Sequence, residues 1–201
     1  EESDPEIPVC EEAGTVTMIH YDIWHRAMPN LSDQNRFMLK FLFARMAEPT
    51  EPSWDCKSTE WVHHSDHTFA DQLQPLWRSL WDWHCGHASQ KPDSKMGASE
   101  VHELLEMLDH ESETVGLNAA YKLGSLAEAA PRIVHILSSE SELARHNAGY
   151  ALTTMGENAV EYLVSALEDT SDRTRTIAVK LLGNLGPVAR RSAFRIAQAM
   201  G

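Results

Sequence analysis

The chain has 201 residues, 42% of them apolar, which is enough to bury a core in one large domain or two small ones. Its 30 Asp and Glu outweigh 17 Lys and Arg, for a net charge of -13 with no basic run, and this excludes a nucleic-acid backbone as partner. The most apolar stretch, "FMLKFLFARMA", is too short and too charged to span a bilayer, so no membrane partner is expected. Three cysteines, Cys10, Cys56 and Cys85, are an odd number without CxxC spacing; a disulfide framework is not expected, and a reducing, cytoplasmic location fits best.

The chain opens on acidic "EESDPEIP" and reaches Gly14, which reads as a turn. "TVTMIH" then alternates Val16, Met18 and His20 against Thr15, Thr17 and Ile19, a pattern that predicts a strand. After the loop "MPNLSD", residues 36–43 alternate again, with Phe37, Leu39, Phe41 and Phe43 on one face and Arg36, Met38, Lys40 and Leu42 on the other. A charged face of this kind suits the inside of a β-barrel that binds a polar ligand. Further on come a His-rich segment and "LWRSLWDWHCG", whose Trp77, Trp81 and Trp83 are expected to pack a helix against the sheet. His63, His64, Asp66, His67, His84, Cys85 and His87 have zinc-ligand chemistry, but their spacing matches no familiar zinc module. The bland reading is a partly exposed extension.

The run "GTVTMIHYDIWHRAMPNLSDQNR" resembles the distal segment of the phytanoyl-CoA dioxygenase family, over residues 14–54 and more weakly to residue 87. The resemblance implies a double-stranded β-helix (jelly-roll or cupin-like) fold, with His25 as the distal metal ligand and Arg36 as the clamp on the cosubstrate carboxylate. It also implies Fe(II) and 2-oxoglutarate as cofactors and a small organic molecule as the substrate to be hydroxylated. Imidazole suits Fe(II), and the planar guanidinium can hold a carboxylate bidentately. The family's upstream HxD motif has no counterpart in the right order: His20 with Asp22 lies on the distal ligand's own strand, and His64 with Asp66 comes after it. The first half therefore reads as the tail of a barrel whose front is missing, expected to be inactive alone and to carry no catalytic residue of its own.

Tryptophan stops at Trp83, and composition turns to Ala, Leu and Glu past residue 90. The expected organisation is an oxygenase-like part over 1–90, a linker over 91–98 and a helical part over 99–201. In the last part, Leu108, Leu137 and Leu167 step by 29 and 30, as do Ala119, Ala148 and Ala178, then Leu123, Leu152 and Leu182, then Leu126, Met155 and Leu185. Four columns in one register are an internal repeat with a solenoid's period. The turn signals "DHES", "SSES" and "DTSD" split each block into a short first and a longer second helix, and Pro131 and Pro187 fall at helix starts. The pattern resembles HEAT-like repeats of the short, bilin-lyase type. Arg145 and Arg175 match that type and Gly116 does not, so the first block reads as a worn or capping repeat. Two functions are open: an oxygenase portion fused to an interaction module, or a scaffold that binds a protein partner on its repeats beside a degenerate oxygenase remnant.

Overall fold

The computed structural model describes residues 8–10, 12–19, 25–43, 47–62, 73–87 and 96–200. They fall into two compact units, Glu1–Ala44 and Arg45–Gly201.

In the first unit the described residues form turns, bends and irregular chain, and the described residues of the whole chain contain helices and no strand. This corrects the expected double-stranded β-helix. The alternation of residues 36–43 is not expressed as two faces: Phe37 is 89% exposed and Phe43 88%, while Met38 and Leu42, on the other side, are also open at 61% and 72%. Period-two patterning decides which side chains would share a face, but a strand exists only when a neighbour satisfies its backbone N–H and C=O groups. Among the described residues no such neighbour lies alongside. The tryptophan expectation is corrected with it. Trp81 and Trp83 anchor the segment 47–62, not a sheet: the Trp81 indole N–H donates to the Thr59 carbonyl at 2.9 Å and that of Trp83 to Glu48 Oε2 at 2.5 Å, while Trp77 is half exposed.

The second unit begins with the irregular segment 47–62, and its helices start with α1 (Gln74–His84), which has a proline in its first turn. Three hairpins follow: α2 (Ala98–Met107) with α3 (Glu113–Leu123), α4 (Ala130–Ile136) with α5 (Glu142–Met155), and α6 (Glu157–Ala166) with α7 (Asp172–Leu185). A 3₁₀ turn over Ala127–Ala129 leads into α4, whose first turn holds Pro131, and a 3₁₀ segment over Gly186–Ser192, started by Pro187, leads to α8 (Ala193–Met200). The second helices form one row, α1 against α3, α3 against α5 and α5 against α7; α4 packs on α6, and α6 on the 3₁₀ segment after α7. Of the four columns, Leu108, Leu137, Ala148, Ala178, Leu123, Leu152 and Leu126 are completely buried, and only Leu185, in the last block, is partly open. Burying one such leucine contributes roughly 2 kcal/mol.

Each hairpin turn repeats one hydrogen-bond pattern. His110 Nδ1, Ser139 Oγ and Asp169 Oδ1 accept from the N–H groups of Ser112, Ser141 and Ser171 at 3.0, 3.2 and 2.8 Å. Ser141 and Ser171 then cap α5 and α7, accepting from the N–H groups of Ala144 and Thr174 at 3.2 and 3.4 Å, which satisfies donors that have no partner inside the helix. Arg145 Nη1 donates back to the Ser139 and Glu140 carbonyls at 2.7 and 2.8 Å; Arg175 Nη1 does the same to Asp169 and Thr170 at 2.8 and 3.2 Å. The first block differs for a packing reason. A Cβ on Gly116 would lie 2.4 Å from Asn147 Nδ2, and that amide, 3% exposed, donates to the Leu108 carbonyl at 2.9 Å. Gly116 is the space through which the second repeat ties down the first.

Candidate interaction surface

The repeat register also aligns residues that the core does not use. Tyr121 on α3, Tyr150 on α5 and Lys180 on α7 occupy equivalent positions, 29 and 30 residues apart. Tyr121 is partly buried, Tyr150 is 49% exposed and Lys180 is exposed. Burial pushes the Tyr121 phenol above the ordinary tyrosine range; the neighbouring Tyr150 adds to this, and a hydrogen bond with the Thr154 side chain works against it. One turn earlier, His146 and Thr176 are exposed on the same helices. The row thus presents aromatic faces with hydroxyl groups beside them and an ammonium at its end.

Charge is divided between the two layers. Helices α2, α4 and α6 carry Glu100, Glu103, Glu106, Glu157 and Glu161 against a single Arg132, whose Nη2 lies 3.2 Å from His102 Nδ1. Helices α3, α5 and α7 carry five Lys and Arg against three Asp and Glu. In a protein of net charge -13, the second-helix row is locally cationic. A cleft of about 290 Å³ between α2 and α3 is lined by Leu104, Met107, Val115, Asn118 and Lys122 among others.

Of the residues expected to bind cofactors, His25 and Arg36 both lie on exposed, irregular chain in the first unit. Between them the Asn-Leu-Ser loop is closed by its own side chains: Ser32 N–H donates to Asn30 Oδ1 at 3.2 Å, Gln34 N–H to Ser32 Oγ at 3.4 Å and Asn30 Nδ2 to the Gln34 carbonyl at 2.6 Å. Among the described residues no group of three His, Cys, Asp or Glu could hold a metal ion. The described side chains do not by themselves assemble a facial iron triad. The pairs His20 with Asp22 and His64 with Asp66, and the histidines His63 and His67, lie outside the described residues. Of the remaining zinc candidates, the His84 ring is edge-on to Trp83 at 4.7 Å and to Trp54 at 6.1 Å, Cys85 is buried, and the His87 N–H donates to the Asp82 carbonyl at 2.7 Å.

Residues 101–183 match the family model of HEAT repeats, so the helical part is HEAT-like. The match covers none of the stretch that resembles the phytanoyl-CoA dioxygenase family. No curated protein matches the chain. The sequence reading found the repeat columns but missed Tyr121, Tyr150 and Lys180. The signal was available, since these residues keep the same 29- and 30-residue steps as the core, at a position where aromatic and charged side chains replace leucine.

Proposed function

We propose that this protein is a HEAT-repeat scaffold that binds a partner protein along the row of second helices. The observation that carries the reading is the Tyr121, Tyr150 and Lys180 row on the cationic layer. Tyrosine supplies large contact area at low entropic cost and is enriched at binding hot spots, and repeat arrays characteristically use an extended surface of this kind. The row fits an extended or helical segment that lays apolar groups on the two rings and a carboxylate on Lys180. A photo-crosslinking residue at position 150 should trap a discrete partner, and Tyr121→Ala or Lys180→Glu should weaken binding of that partner by about tenfold or more. Glu161→Lys, on the acidic layer, should leave it unchanged. Equal trapping at positions 150 and 161 would overturn the assignment of the face.

A second reading keeps His25 as a metal ligand and Arg36 as a 2-oxoglutarate clamp, favoured by the side-chain-closed loop of Asn30, Ser32 and Gln34 between them. Its test is in a gene product that supplies an upstream HxD: His25→Ala should abolish iron-dependent succinate release, and Arg36→Lys should mainly raise the 2-oxoglutarate KM. Full activity with unchanged iron content in His25→Ala would end this reading.

A further inference from the structure

The segment 47–62 lies along the end of α1, and its contacts close around one residue of that end. The Thr50 backbone carbonyl lies 2.4 Å from the place a Cβ on Gly86 would take, so only glycine, here at φ +78°, lets the segment come so close. The Trp54 ring meets His84 at 6.1 Å and Trp81 at 5.8 Å; Trp61 meets Trp81 at 6.2 Å, and the Thr59 carbonyl accepts from the Trp81 indole at 2.9 Å. Residues before and after Cys56 therefore touch residues before and after Cys85. Cys85 is 2% exposed and Cys56 is partly exposed, its thiol donating to the Ser58 carbonyl at 2.9 Å. Cys10 is exposed and belongs to the other unit.

We propose that Cys56 and Cys85 are a dithiol site that a low-molecular-weight disulfide, such as oxidised glutathione, converts to an intramolecular disulfide pinning the segment 47–62 to α1. The Cys56 thiolate, the more accessible, attacks the reagent; one reagent thiol leaves and a mixed disulfide forms. The Cys85 thiolate then displaces the second reagent thiol, and the Cys56–Cys85 bond forms. Two protein thiols are oxidised, one reagent disulfide is reduced to two thiols, and the protons end on those thiols. Burial, then the neighbouring Cys56, then Asp82 hold the Cys85 thiol above its ordinary range, and its burial shields it from the reagent, so the first attack falls to Cys56. Rotation of Cys56 toward Cys85 gives up its bond to Ser58, and the bond requires the two Cα atoms to come within about 7 Å of each other.

The test is the full chain equilibrated with reduced and oxidised glutathione, acid-quenched, unfolded, alkylated and mapped by mass spectrometry. The expected result is loss of two free thiols, a linked peptide joining Cys56 to Cys85, an alkylated Cys10, and quenched tryptophan emission from the adjoining rings. Cys85→Ala should stop at a stable glutathione adduct on Cys56. Cys56→Ala, at a partly exposed site that leaves the core intact, should lose the linked peptide while keeping the helical circular dichroism. Linked peptides that include Cys10, or a wild-type chain that accumulates the Cys56 adduct with Cys85 still alkylated, would overturn the proposal.

Discussion

Gly116 and Asn147 act as one unit. A methyl group at 116 would drive the Asn147 amide off the Leu108 carbonyl, so Gly116→Ala should destabilise by about 2 kcal/mol despite alanine's better helix propensity. In an Asn147→Ala background the same change should be neutral or stabilising by up to about 1 kcal/mol. Urea unfolding of the two single variants and the double variant measures the coupling; additive effects would mean that the amide does not fill this space. Thr174 makes a simpler case. Its buried Oγ1 has no hydrogen-bond partner, and the equivalent position in the first block is Val115, so Thr174→Val should raise stability by about 1 kcal/mol in the same assay. Neither feature was legible in the sequence. Gly116 read as a worn position because a lone chain of letters shows the missing arginine and not the asparagine, 31 residues on, that needs the room.

At the scale of elements, the hairpin turns explain why Arg145 and Arg175 recur. Each guanidinium ties two turn carbonyls to the helix that follows, and Arg175 also pairs with Asp172. Arg175→Ala should cost about 1–2 kcal/mol and speed amide exchange in residues 169–172, whereas Arg175→Lys should recover only part, since the fork cannot be reproduced by a single ammonium. Hydrogen-exchange mass spectrometry of the three proteins would show the order; equal protection in Arg175→Ala and wild type would remove the arginine from the turn. The helical hairpins were legible because their evidence is redundant: four columns, turn signals and proline starts agree. The predicted strands rested on alternation alone. Phe37, Leu39, Phe41 and Phe43 do alternate, but pairing is a property of two segments, and one segment's pattern cannot report it.

On the scale of the whole molecule, α1 belongs to the helical array though it is separated from it in sequence by residues 85–97 and differs from it in composition. It packs on α3 as α3 packs on α5, and the segment 47–62 holds it there through Trp81, Trp83 and Gly86. The composition shift near residue 90 reports where tryptophan stops, which is a different matter from where packing stops. A chain reduced to residues 96–201 should remain helical but melt earlier, by about 2 kcal/mol or more, than one spanning residues 45–201. Circular dichroism melts of the two would decide it, and identical midpoints would mean that α1 contributes no packing.

The position of α1 also bears on how copies of the molecule meet. An array of like hairpins has a head and a tail that complement each other, and contacts of that kind add units without ever closing into a ring. With α1 laid over α3, the first-block end of the row of second helices is covered by the chain's own helix. The clasp of Trp54, Thr59 and Trp81 holds that cover in place, so its loss would bare the face of α3 that α1 now hides.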